Sequence, residues 1–211
     1  MNTMPSGRAA DEALTRMHPF DPRKIAVLVV DVQNSEVVPE YESERPEYWR
    51  AIHGRALPNQ KQVIDAARAA GAEIIYTVIE SLTADGRDRS LDHKLSKIFI
   101  PRHSPLGQVI PFVAPEPDDI VLPKTSSGVF NSTILDYVLR NLGIESVVVV
   151  GFITDQCVDM AVRDGADRGY YMVCIDDACA SYTEQSHQAG LRAFKGYCRQ
   201  MSAAEFVAQL R

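Results

Sequence analysis

Apolar residues along this chain fall into two kinds of run. Short ones, rich in valine and isoleucine, occupy residues 25–30 without a break, 73–79 and 146–150, with weaker ones at 119–122 and 171–175. Near-continuous runs of this length predict strands buried on both faces, as in a parallel sheet. Between them, apolar residues recur at three- and four-residue spacing, which predicts helices. Pro58 opens the first of these, where its missing N–H costs nothing; Val63, Ile64, Ala67 and Ala70 form its stripe, and Gly71 ends it. The second covers about 132–142, with Ile134, Leu135, Val138, Leu139 and Leu142 inward and Gly143 behind it. The third starts near Asp155 and carries Val158, Ala161, Val162, Gly165 and Ala166 on one face. The fourth covers about 184–197, with Ala193, Phe194 and Tyr197 inward, and the last about 203–210. Ser202 caps that last helix, and Glu205 stands at the third position of a capping box.

Strands alternating with helices predict a three-layer α/β/α sandwich around a mostly parallel, doubly wound sheet. Ligands in such sheets bind at the carboxyl ends of the strands, near the reversal of strand order. Two stretches lack a period. Residues 35–57 read as a loop or a broken helix. Residues 80–118 are polar and proline-rich, with a short helix expected near 108–113; connections this long are often functional. The reading gives an N-terminal arm at 1–23, able to dock on a partner subunit, and one domain at 24–211.

Composition narrows the function classes. The 211 residues carry 22 Lys+Arg against 28 Asp+Glu, a net charge of −6, which argues against nucleic acid and against an anionic membrane surface as partners. No apolar run approaches the roughly 20 residues a membrane span needs. The first 20 residues are polar and unlike a signal peptide, and the four cysteines, 157, 174, 179 and 198, form no CxxC. Free thiols in a reducing cytoplasm are the expectation.

Three polar residues fall at the ends of predicted strands: Asp31 after the first, Lys124 after the third, and Cys157 just past the fourth. The topology brings them to one edge of the sheet, where they supply three roles of nucleophilic catalysis. Cys157 falls in the first turn of a helix, whose free N–H groups and dipole favour an anion, as does a nearby ammonium. A lowered thiol pKa is therefore expected. Asp31 then takes the thiol proton and returns it to a leaving amine. Main-chain N–H groups of Ile153 and Cys157 are candidates for an oxyanion hole.

Three segments carry a resemblance over about residues 23–198. They are Val29-Val30-Asp31-Val32-Gln33-Asn34, then Pro123-Lys124-Thr125-Ser126-Ser127-Gly128-Val129-Phe130-Asn131-Ser132-Thr133, then Gly151-Phe152-Ile153-Thr154-Asp155-Gln156-Cys157-Val158. Arg163-Asp164-Gly165 and Asp176-Asp177-Ala178 follow in order. In these the chain resembles the isochorismatase-like cysteine hydrolases, among them nicotinamidases, N-carbamoylsarcosine amidase and ureidoacrylate amidohydrolases. The resemblance implies a catalytic triad of Asp31, Lys124 and Cys157, a cis peptide at Phe152–Ile153 that turns the Ile153 N–H toward the oxyanion, and a homodimer or homotetramer.

Departures from the family narrow the substrate. Where nicotinamidases carry an Asp-x-His metal site, this chain reads Tyr76-Thr77-Val78-Ile79-Glu80-Ser81, and its five histidines show no ligand spacing. No metal and no cofactor are expected. The cysteine favours C–N cleavage through a thioester, and the segment through Phe130 and Asn131 is most like the ureidoacrylate and carbamoyl-amide branch. The expected substrate is thus a small amide, carbamoyl or ureido compound. Two other readings stay open: an isochorismatase-type ether hydrolase using Asp31, and an idle member that binds a ligand or partner. Gln33, Tyr41, Trp49, Glu80 and Phe130 are candidate substrate contacts, with Tyr182 a weaker one. A structural bond for Gln33 and a solvated carboxylate for Glu80 are the competing readings. One of Arg87, Arg89 and Arg102 is a candidate clamp for a substrate carboxylate.

Overall fold

The strand-forming runs pair as their burial demands. In a computed structural model of the chain, which describes residues 14–210, six strands form one sheet among those residues. They are β1 (Ile25–Val30), β2 (Glu73–Ile79), β3 (Ile120–Lys124), β4 (Ser146–Phe152), β5 (Tyr171–Ala180) and β6 (Arg199–Met201). Every pairing is parallel, in the order β3-β2-β1-β4-β5-β6. The chain winds outward from β1 to β3, then returns to the centre and winds the other way from β4 to β6. The reversal lies between β1 and β4, both buried throughout, as strands covered on both faces must be.

Alternate residues of β1 feed two cores. Ile25, Val27 and Val29 pack with Tyr48, Ile52 and the helices α1 (Leu57–Ala69) and α5 (Ala203–Gln209). Ala26, Leu28 and Val30 pack on the other face with α2 (Leu135–Asn141), α3 (Asp159–Asp167) and α4 (Glu184–Phe194). This is the three-layer sandwich, with its sheet entirely parallel. The Ser202–Glu205 capping box forms as expected.

Several boundaries differ from the pattern. Residues 41–69 form a nearly continuous helical path, broken after Glu44 and carrying a π-helical turn at Ile52–Ala56 that puts the apolar positions out of step. β5 runs on through Asp176 and Asp177 because the sheet slips register between Val149 and Gly151. β6 is short and polar, so periodicity misses it. The expected helix at 132–142 divides into Val129–Ser132 and α2, leaving Ile134 61% exposed. Ala193 lies on the exposed face of α4, and Tyr197 is exposed beyond its end at Phe194. In the long loop the helix lies at Leu91–Leu95, while the stretch near 108–113 holds a single 3₁₀ turn, Pro111–Val113. Of the expected arm, residues 1–13 lie outside the described residues; His18 stacks on Tyr171 with ring centroids 4.1 Å apart, and Phe20 meets Phe206 edge-on. No described helix is long and apolar enough to cross a membrane.

Candidate active site

Asp31 is the first residue beyond β1, and its φ of 55° lies in the left-handed region that aspartate tolerates better than most side chains. That turn carries the carboxylate across the end of β2. The Asp31 amide donates to the Thr77 carbonyl at 3.0 Å, and Thr77 Oγ1 donates to Asp31 Oδ1 at 2.9 Å. Lys124, the last residue of β3, is fully buried and extends under the neighbouring strand ends. Its ammonium has three protons and three partners: Asp31 Oδ2 at 2.9 Å, the Ser126 carbonyl at 2.9 Å and Cys157 Sγ at 3.4 Å. Cys157 comes from a π-helical turn, Thr154–Val158, that leads into α3. The three strand ends thus meet at the reversal point of the sheet, as the topology requires.

Burial decides the charges. It works against the Lys124 ammonium, but Asp31 and Cys157 beside it offset that cost and hold its pKa above the ordinary lysine value. Burial also pushes the Cys157 thiol up, Asp31 pushes it further, and Lys124 only partly opposes them, leaving a pKa of about 12. The lowered thiol pKa expected from a helix N-terminus is therefore corrected. In a dry site beside a carboxylate the thiol is neutral at rest, with Asp31 as its acceptor.

Asp31 and Cys157 open into a cavity of about 560 Å³. Ile153 and Cys157 both line it, and the Phe152–Ile153 peptide is cis. One wall is Tyr41, Arg45 and Tyr182; another is Ile98, Phe99 and Ile100 from the long loop. His93, buried with burial lowering its pKa, reaches Ser127 at 3.4 Å, and both face the cavity. A larger groove of about 630 Å³, where residues 14–16 meet Tyr170 and Tyr171, holds no triad member. Among the described residues, no three His, Cys, Asp or Glu side chains gather as a metal ion requires.

The other candidates separate. Tyr41 and Tyr182 line the cavity. Gln33 does not, because its side chain acts as a surrogate peptide. Its Oε1 accepts the Ile79 N–H at 2.6 Å, and its Nε2 donates to the carbonyls of Ile79 and Leu106 and to Ser35 Oγ, tying the long loop to β2. Phe130 is buried in the core with Tyr170, drawn there by the apolar faces of α2 and α3. Trp49 packs against the other core and over His53. Glu80 stands beside Gly107 and outside the cavity wall. Arg89 is spent on the carbonyls of Gly86 and Ile98, and Arg87 on Asp85. Sequence reasoning missed Glu36, Arg45, His93 and Gln156, all of which line the cavity. The one available signal was Arg45-Pro46, a helix start within the segment that follows Asp31.

Residues 25–205 match the isochorismatase domain family. A cysteine hydrolase from Pseudomonas syringae pv. phaseolicola 1448A superposes with a TM-score of 0.80 at 25% identity, over 92% of this chain and 95% of that one. An isochorismatase family protein from Desulfovibrio vulgaris gives 0.77 at 21% identity, over 89% and 98% of the two chains. N-carbamoylsarcosine amidase from Thermoplasma acidophilum gives 0.68 at 24% identity, over 85% and 96%, a likeness of fold.

Proposed function

The chain belongs to the isochorismatase family of hydrolases, and we propose that it is a cysteine amidohydrolase that cleaves a C–N bond of a small amide, carbamoyl or ureido compound. One observation carries this reading: a single buried ammonium, Lys124, touches both a carboxylate and a thiol at the floor of a cavity. As the substrate carbonyl settles over Cys157, Sγ attacks the carbon and its proton passes to Asp31. The carbonyl π electrons move onto oxygen, where N–H groups of Ile153 and Cys157 receive the charge. When the carbonyl re-forms, the C–N bond breaks and the amine leaves with the proton from Asp31. Water then gives a proton to Asp31 and attacks the thioester; as the C–S bond breaks, the thiolate departs and takes that proton back from Asp31. Lys124 stays charged throughout and keeps Asp31 and the sulfur in register.

A thiol of pKa about 12 suits this order of events. A free thiolate is not stored; it forms only as the bond to carbon forms, with its proton handed to the carboxylate that shares Lys124 with it. The neutral thiol also fits an ether hydrolase in which Asp31 works without it. Ammonia release from a panel of amides and ureido acids, with intact-mass detection of an acyl adduct on Cys157, tests the proposal. Turnover is expected to vanish in Cys157→Ala and after alkylation. Ammonia release that survives both removes Cys157 as the nucleophile, whereas no ammonia from any amide together with cleavage of an enol ether points to the ether hydrolase.

A further inference from the structure

Four residues lining the active-site cavity carry a dry side-chain atom without a hydrogen-bond partner: Arg45 Nη1, Glu36 Oε2, His93 Nδ1 and Asp31 Oδ2, the last of which is paired in charge with Lys124. Arg23, Arg55, Arg68, Arg87, Arg140 and Arg163 each stand within 4 Å of a carboxylate. Among the described residues Arg45 is one of several arginines without such a partner, and it is the arginine that lines the cavity. Its guanidinium instead lies against two aromatic rings, 4.5 Å from the Tyr41 centroid and 4.0 Å from that of Tyr182. Two flat faces fix the plane of the fork, so little further ordering is needed when an acceptor arrives. The group also bonds the Tyr182 hydroxyl, but Nη1 is left without an acceptor, and a dry charged donor is costly unless a ligand completes it.

We propose that Arg45, clamped between Tyr41 and Tyr182, binds a carboxylate carried by the substrate and so restricts this enzyme to acidic amides. The inference rests on the amidohydrolase reading of the same cavity. A guanidinium and a carboxylate match as two parallel hydrogen bonds, which a neutral amide cannot reproduce. Glu36 bears on the choice of sign. Burial, together with Asp31, lifts its carboxyl to about 7, although Arg45 and Lys124 pull the other way. Near neutral pH much of it is uncharged. A protonated Glu36 leaves the Arg45 charge uncompensated and offers its own O–H to the second oxygen of the incoming carboxylate. This also replaces the clamp expected from Arg87, Arg89 or Arg102 with a residue from the opposite wall.

The test is calorimetric binding to the full-length Cys157→Ala protein, at pH 6.5, of three probe series matched in chain length. These are half-amides of linear dicarboxylic acids, the corresponding diamides, and ω-amino amides. The half-amide of best-fitting length is expected to bind at least about tenfold more tightly than its diamide, and the amino amide more weakly than either. Adding Arg45→Gln should bring half-amide and diamide to within about twofold of each other, and Arg45→Lys should restore part of the ratio. Equal affinity for half-amide and diamide, preference for the amino amide, no binding of any half-amide, or selectivity that survives Arg45→Gln each overturns the proposal. If Arg45→Gln does not fold, the Arg45 protein and Arg45→Lys still decide it. Ammonia release by the wild type separates the two readings. Selective acid binding without ammonia release or an acyl-Cys157 adduct sinks the amidohydrolase and spares the carboxylate site. Turnover of diamides and half-amides at equal rates does the reverse.

Discussion

Replacing Asp31 with Asn should make Cys157 more reactive toward a neutral alkylating agent while it stops hydrolysis. The substitution keeps the shape of the side chain and removes one negative charge. Asp31 Oδ2 and Cys157 Sγ both contact Lys124 Nζ, at 2.9 Å and 3.4 Å. They therefore lie no more than about 6 Å apart, and at an effective dielectric of about 20 the repulsion between carboxylate and thiolate is at least about 2–3 kcal/mol. That is about two pKa units. The thiol, now near 12, should fall to about 10 with the Lys124 ammonium still beside it. At pH 8 the thiolate fraction then rises from about one in ten thousand to about one in a hundred, and the less basic sulfur is a weaker nucleophile, so alkylation gains about tenfold.

The assay is the rate of iodoacetamide incorporation at Cys157, followed by mass spectrometry from pH 7 to 10 on wild type and variant. An uncharged reagent avoids a bias from Lys124, and comparison of the two proteins cancels access. The broken ion pair costs about 3–5 kcal/mol of stability, so a thermal melt must show both proteins folded at the assay temperature. If Cys157 in the folded variant alkylates no faster than in wild type, the charge argument for this site is wrong. Hydrolysis that persists in Asp31→Asn removes Asp31 as the proton acceptor.

Three further outcomes are expected. Gln33→Leu leaves the Ile79 N–H without its 2.6 Å acceptor, so urea unfolding should show a loss of about 1–3 kcal/mol, with the 80–118 loop exchanging amide hydrogens faster. Gly151→Ala places a Cβ 2.2 Å from the Val30 carbonyl at a φ of 125°, in the middle of the sheet, and should cost more than about 4 kcal/mol or prevent folding, as read by soluble yield and melting temperature. Glu36 holds its proton to about pH 7 in the folded chain but loses it near 4.5 when unfolded, so wild-type stability should fall by up to about 3 kcal/mol between those pH values relative to Glu36→Gln. Flat denaturant midpoints for the pair over that range contradict the buried carboxyl.

The meeting of Asp31, Lys124 and Cys157 was legible in the sequence for a physical reason. A charged residue at the end of a fully apolar strand is expensive, and the chain keeps three polar groups at three such ends: Asp31 after β1, Lys124 closing β3 and Cys157 after β4. Strand order then brings them together without any knowledge of loops. The walls were not legible, because they come from stretches whose conformation has no period. Arg45 points into the cavity because the helical path from 41 to 69 breaks after Glu44, and Pro46 is the one local mark of that break; the later π-helical turn has none. Gln33 was misplaced for a related reason. Its spacing from Asp31 suits an extended chain, but Asp31 turns at positive φ, and Gln33 then finds the unpaired edge of Ile79 and the loop beyond it.

The same contrast explains the error on the thiol. From sequence, a helix start and a lysine both argue for a stabilised thiolate, and Lys124 does act in that direction. What sequence does not weigh is the depth of the site. Cys157 is 6% exposed and Lys124 wholly buried, and in so dry a place the ammonium is already claimed by Asp31. The pair leaves little net positive charge for the sulfur, so desolvation prevails and the proton stays until a substrate carbonyl gives the electrons somewhere to go. On this reading the resting enzyme is protected from adventitious alkylation and oxidation by the arrangement that makes it a catalyst, since thiolate character controls both. A neutral resting thiol is therefore no argument against nucleophilic catalysis by Cys157, and the Asp31→Asn comparison separates the two: reactivity should rise as turnover disappears.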